Sequence, residues 1–357
     1  MARELHPGGR TRPTTHPATA VPASFDPVRT CRVDERSTSL AKVRRAVVAT
    51  AALLVAGLAA GAAPTPAQAD RDGRQDVHPA LRSHLVAFYD FDHPVEGDVA
   101  LERDQGRSGT EIELVNGGAA QRVPDRAYKG SGNALQTRQV NPDVTGNDDW
   151  KAGTWSASGV RTLRAFSGAK SATVMGWFKS DMDGPALNST TPNPTDRFNA
   201  IGLAGVLTGD SEGHNVRALL ELIDVNGTLR LVALGRRLDG GNSQTFAASQ
   251  DWQTLLPRGE WVHLAATYDF SSGTMALYRN GKPLDGFYTR NDDPWGVSGP
   301  GPHVTTASDP RGIKIGGSFP QNTLERNPCN CRMDSLMFLD SVVSPGDVEK
   351  QYRYQAR

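Results

Sequence analysis

The stretch Trp261 to Leu284, WVHLAATYDFSSGTMALYRNGKPL, constrains the fold more than any other part of this chain. In its first half Val262, Leu264, Ala266, Tyr268 and Phe270 fall on one side of an extended backbone and Trp261, His263, Ala265, Thr267 and Asp269 on the other. The first set is the more apolar, and a period of two is the signature of a strand with one face in a core. A Ser-Ser-Gly turn leads into a second alternating run, Met275 to Asn280, and Asn280-Gly281 supplies the φ > 0 residues that a tight hairpin turn demands. The segment reads as three antiparallel strands lying side by side.

Short runs of the same kind recur from Leu85 onward. The candidates are Leu85 to Phe91, Ile112 to Val115, Asn133 to Thr137, Ala172 to Lys179, Ile201 to Thr208, Ala218 to Asp224, Thr228 to Gly235, Gly312 to Gly316 and Arg332 to Asp340, besides the two runs above. Asn226-Gly227 marks a second tight hairpin. One helix is expected, opened by Ser344-Pro345 as cap and first residue and continuing from Val348 to Arg353. These elements predict an all-β chain, a two-sheet antiparallel β-sandwich of the jelly-roll kind with one short C-terminal helix, spanning 85–357. Gln139 to Ser171, Asp183 to Asn199 and Arg290 to Pro310 are rich in Gly, Pro, Asn, Asp and Thr and read as loops, where function concentrates.

The first 69 residues read as a leader. Lys42, Arg44 and Arg45 precede an uncharged Ala, Val and Leu run from Ala46 to Ala63, and Ala67-Gln68-Ala69 follows as an A-x-A site. This order predicts a secretory signal cleaved after Ala69, with residues 70–84 as a flexible lead-in. A membrane anchor is the alternative, and Arg44-Arg45 admits twin-arginine export. Removing residues 1–69 leaves 30 basic and 35 acidic residues, a net charge of about −5, which recruits neither nucleic acid nor anionic lipid. Cys31 leaves with the leader, so the exported chain keeps Cys329 and Cys331, as a local disulfide or as two thiols.

Five ordered stretches resemble the laminin-G-like branch of the concanavalin A-like lectin/glucanase superfamily. They are VAFYDFDHPVEGDVALERDQGRSGTEIELVNGG near the start, KGSGNALQT, SATVMGWFK, the Trp261 to Leu284 meander, and IKIGGS with CRMDSLMFLDSVVSPGDVEKQY. The resemblance runs over about residues 85 to 355 and implies the fold; the superfamily holds lectins, binding modules, receptor domains and hydrolases, so it leaves the activity open. It also implies a structural calcium where the first and last strands meet, with Asp92, Asp104 and Asp334 at the matching positions, although aspartates in such places also serve as turn caps. Asp181, Asp183 and Asp210 are further candidates.

Catalytic motifs are missing from the sequence: it holds no G-x-S-x-G, no H-E-x-x-H and no P-loop. Glu221 and Asp224 are three apart in a strand, which puts them on opposite faces and rules them out as a pair flanking one glycosidic bond. His263 matches the meander and reads as structural. Sugar binding asks for an aromatic face beside hydrogen-bonding loops. Trp177 and Trp261 sit in strands; Trp150, Trp155, Trp252 and Trp295 lie in or beside loops. Asn291-Asp292-Asp293-Pro294-Trp295 sets one indole among polar side chains and is the expected ligand site, unless Trp295 tucks back onto the sandwich. The expectation is a secreted, non-catalytic protein that binds an extracellular glycan, with a glycoside hydrolase or a protein-binding adhesion domain as alternatives.

Overall fold

The computed structural model describes residues 73–140, 149–156, 158–182, 201–207, 216–236, 242–301, 311–317 and 328–357. The expected leader, the loop at Asp183 to Asn199, and Asp210 lie outside the described residues. In chain order the strands are β1 (Leu85–Tyr89), β2 (Pro94–Val95), β3 (Asp98–Glu102), β4 (Ile112–Val115), β5 (Arg122–Val123), β6 (Ala134–Thr137), β7 (Lys151–Trp155), β8 (Ser171–Ser180) and β9 (Ile201–Leu207). They continue as β10 (Val216–Val225), β11 (Thr228–Arg236), β12 (Ser243–Ala248), β13 (Trp261–Asp269), β14 (Thr274–Arg279), β15 (Lys282–Pro283), β16 (Gly286–Tyr288), β17 (Gly312–Ile315) and β18 (Cys331–Leu339). Two helices, α1 (Trp252–Leu255) and α2 (Pro345–Gln355), complete the described elements with several 3-10 turns.

All pairings between these strands are antiparallel, and they form two sheets. The first runs β15-β14-β13-β8-β18-β6-β5, with β1 also paired to β18; the second runs β16-β12-β11-β10-β9-β17-β7-β4-β3-β2. The meander is as expected: Ala266 pairs with Leu277 and Tyr278 with Pro283, and Asn280 and Gly281 take φ of 49° and 79°. The second Asn-Gly turn repeats this at φ 55° and 82°. Val262, Leu264, Ala266 and Tyr268 of the first sheet and Leu220, Leu222, Leu231, Ala233, Ile313 and Ile315 of the second share one core between the sheets. Each Val, Leu or Ile among them, fully withdrawn from water, contributes about 1.5–3 kcal/mol.

The opposite face of the first sheet is covered by α2. Ser344 caps this helix, accepting from the Asp347 amide, and Pro345 occupies its first turn. Val348 then packs with Phe88, Met175, Ala265 and Met337. Residues 73–84, expected as a flexible lead-in, instead form two 3-10 turns that bury Val77 and Leu81 in the same cluster. Their two apolar side chains join Leu85, Phe88, Met337 and Val348 on this face, and that burial holds the segment to the sheet. Sequence reading also missed β7 and β12, whose residues KAGTW and SQTFAA lack an apolar alternation strong enough to show. Cys329 and Cys331 form a disulfide, with Cα atoms 5.1 Å apart, at the entry to β18.

Candidate functional site

A cleft of about 560 Å³ opens between β16, the turn joining β13 to β14, and the loop that follows β16. Asn291, Asp292, Asp293 and Trp295 all line it. The loop is built from Asp293: its Oδ1 accepts from the Val297 amide at 2.9 Å and its Oδ2 from the Ser298 amide and hydroxyl at 2.9 and 2.6 Å. Pro294 anchors the other strand of the loop, its carbonyl taking the Asn242 amide at 2.7 Å. Between these two fixings Trp295 is driven inward.

Trp295 is 1% exposed. Its ring lies 5.1 Å from that of Phe270, and its indole N–H donates to the Gly235 carbonyl at 3.2 Å. Glycine at 235 makes room for it, because a Cβ there would stand 2.5 Å from the indole Cζ2. The indole therefore plugs the end of the core and forms the floor of the cleft, with its faces covered. Tyr288, which sequence reading passed over, is half-buried on the wall. Its hydroxyl accepts from the Met275 amide at 2.8 Å and its ring meets Phe246 edge-on at 5.2 Å, so the ring is held in place. The only sequence signal for it was the short run Gly286-Phe287-Tyr288 between turn residues.

Charge on the wall is paired. Arg290 grips Asp292 through two nitrogens, Nε at 3.0 Å and a terminal nitrogen at 2.5 Å. The Arg290 guanidinium holds the Asp292 carboxyl below the usual carboxylate range. Asn291 is exposed beside this pair.

The three aspartates expected to share an ion are divided. Asp104 closes the turn after β3: Oδ1 accepts from the Phe88 and Gly106 amides at 2.8 and 2.6 Å, and Oδ2 from the Ser108 hydroxyl and the Thr110 amide. Four donors use all four lone-pair sites of a carboxylate, leaving none for a cation. Asp92 takes the Gly132 amide at 2.9 Å and the Asn133 amide and side chain at 2.8 and 2.7 Å. Asp334 is fully buried at a bulge where β18 shifts register against β8, with Ser335 at φ 50°. Burial, then repulsion from Asp90 and Asp92, pushes its carboxyl well above the usual range. Asp92 and Asp334 are thus brought into each other's field and Asp104 is not. Among the described residues no three His, Cys, Asp or Glu side chains are placed to hold one metal ion, so the trio as arranged does not fit calcium.

The outer face of the second sheet carries buried charges. Ile313 and Ile315 enter the core, so Lys314 between them points outward; by the same alternation Leu220 and Leu222 send Glu221 outward and Ala152 sends Lys151 outward. All three are buried, at 1%, 2% and 0% exposure. Lys314 runs over Gly202, where a Cβ would come 3.4 Å from its Cε, and Gly202 is the register partner of Glu221. Lys151 stands 3.9 Å from Asp149. Asp224, three residues from Glu221, caps the Asn226-Gly227 turn through the Gly227 amide at 2.7 Å. Of the other candidates, Trp252 is a buried core residue, Trp155 packs on the outer cluster of the second sheet, Trp150 lies under Arg138 at 3.7 Å, and Asp181 faces Arg332 at 3.8 Å.

A family model described as the concanavalin A-like lectin/glucanases superfamily, of the laminin G type, matches residues 156–349. The chain belongs to this family. No curated protein matches it. Among solved structures it is similar to the binding domain of Paraclostridial Mosquitocidal Protein 1, at 16% identity and a TM-score of 0.47, over 76% of this chain and 52% of that one. The receptor binding domain of botulinum neurotoxin C/D mosaic serotype gives 12% identity and 0.45 over 77% and 52%, and Trypanosoma rangeli sialidase gives 12% and 0.42 over 76% and 32%. The chain spans about half the length, or less, of these structures.

Within this laminin G-type sandwich, the cleft sets a half-buried aromatic ring beside exposed polar side chains. A general acid for glycoside hydrolysis needs a carboxyl kept protonated near neutral pH. Asp292 is shifted the other way, and Asp293 is committed to the amides of its own loop.

Proposed function

We propose that this protein is an exported, non-catalytic carbohydrate-binding sandwich whose ligand is held in the cleft at Asn291 to Trp295. The observation that carries the reading is the cleft itself: a ligand-sized hollow walled by a fixed aromatic ring and a loop with exposed polar side chains. Such a combination receives the flat C–H face of a sugar and its hydroxyls together. Export is supported by the order of basic flank, apolar run and A-x-A site, and by the Cys329–Cys331 disulfide, which suits an oxidising compartment.

Calcium is proposed as a stabiliser only. What supports it is the fully buried carboxylate of Asp334, one oxygen of which has no hydrogen-bond partner among the described residues; the sugar reading does not depend on it. The test is a glycan array probed with the mature chain and with Asn291→Ala, in calcium and in chelator. Retention that weakens in Asn291→Ala supports the cleft. Retention by no glycan, with capture by immobilised extracellular matrix proteins, transfers the reading to a protein-binding adhesion domain.

A further inference from the structure

The joins between the walls of the cleft bear on which part of a glycan it takes, an inference that rests on the sugar-binding reading above. A site for the interior of a polysaccharide must be open at two ends, so that the chain runs in and out. A site for a chain end needs a single mouth.

One wall of the cleft is the turn from β13 into β14; the other is β16 with the loop that follows it. They are joined twice. At the first join the Tyr288 hydroxyl accepts from the Met275 amide at 2.8 Å and donates to the Met275 carbonyl at 3.4 Å. At the second, Val297 lies against Gly273, where a Cβ would stand 3.5 Å from both valine methyl carbons. Val297 is held there through its amide, which donates to Asp293 Oδ1 at 2.9 Å. The Trp295 indole, 1% exposed, closes the floor. Two joined walls over a plugged floor make a bowl and not a through-groove. Any additional side chain at the rim narrows the mouth and cannot part walls already in contact.

The bowl encloses about 560 Å³, the size of one compact ligand. Its rim carries the exposed Ser272 and Thr274 hydroxyls, 2.7 Å apart on one wall, and the exposed Asn291 on the other. These groups both donate and accept. The last unit of a glycan, linked on one side only, turns more free hydroxyls towards them than an interior unit does.

We propose that the cleft binds a glycan by its terminus, enclosing the last few sugar units and none of the chain interior. The experiment is calorimetric titration of the mature chain with cello-, malto-, xylo- and N-acetylchito-oligosaccharides, each series running from dimer to hexamer. Any other binder found on the glycan array is titrated as its own length series. In a series that binds, Kd is expected to level off by the tetramer and to change less than about three-fold from there to the hexamer, below the roughly five-fold of one added hydrogen bond. The same series is expected to weaken by about five-fold in Asn291→Ala.

A larger gain from tetramer to hexamer overturns the proposal and leaves the sugar-binding reading standing. An Asn291→Ala variant that binds like the parent removes the sugar from the cleft and overturns both. Binding in no series and to no glycan on the array likewise overturns both together.

Discussion

His263 makes the sharpest prediction about stability. It points from β13 towards α2, fully buried, with Trp177 at 5.5 Å and Tyr352 at 6.1 Å between ring centroids, and neither ring nitrogen has a hydrogen-bond partner. Burial alone lowers its pKa from 6.5 to about 3. The folded state therefore holds a neutral imidazole at pH values where the unfolded chain binds a proton. Stability is unaffected above pH 6.5 and is lost progressively as pH falls from 6.5 to about 3. At about 1.4 kcal/mol per pKa unit, two pH units below the unfolded value cost about 2.7 kcal/mol. His263→Phe keeps an aromatic ring in the cage and removes the titration. Any packing change in the variant is the same at both pH values, so it cancels. Urea unfolding of parent and variant at pH 7.5 and 4.5 measures the difference: the parent should lose roughly 2–3 kcal/mol more than the variant on acidification. Equal losses in the two proteins would refute the reasoning.

Three further outcomes are expected. Gly235→Ala puts a methyl 2.5 Å from the Trp295 indole, so it should destabilise by about 1–3 kcal/mol and red-shift the tryptophan emission as Trp295 is forced out; unchanged emission refutes the plug. Asp104→Ala leaves the Phe88, Gly106 and Thr110 amides without their acceptor, and should cost about 2–4 kcal/mol in denaturant unfolding without any change in calcium response. If calcium is a stabiliser at Asp334, the melting temperature rises in calcium over chelator by several degrees and the rise disappears in Asp334→Asn; identical melting curves remove calcium from the proposal.

The sandwich was legible because its information is local. Alternation over Val262 to Phe270, an Asn-Gly pair whose two residues must take positive φ, and a Ser-Pro helix start are each decided within about ten residues of chain. Besides the short β2, β3, β5 and β16, the strands that escaped were β7 and β12, whose outward side chains are not simply polar or simply apolar. In β7 the inward core residue is a small alanine and the outward ones are Lys151, Gly153 and Trp155, a charge, no side chain and an indole, so no alternation is visible although the strand is central to its sheet. The register between β17 and β7 sets Gly153 opposite Lys314, which explains the glycine only after the sheet is assembled.

The cleft depends on distance along the chain in a way that no local pattern encodes. The composition of Asn291 to Trp295 marked a loop that does line a cleft, but whether the indole faced solvent was decided by a missing side chain 60 residues earlier, at Gly235. With Trp295 serving as a plug, the half-buried aromatic ring on the cleft wall is Tyr288, brought there by the edge strand β16. The same reasoning separates the aspartates. Asp104 satisfies its carboxylate within six residues of itself and with Phe88, whereas Asp334 is placed by a bulge in β18 and meets Asp92 only when the first and last strands close. A carboxylate near a turn can be a cap or a ligand, and counting the donors already spent on it separates the two. By that count Asp104 belongs to the fold, and Asp334 is the acidic residue at which a chelator-sensitive stability should be sought.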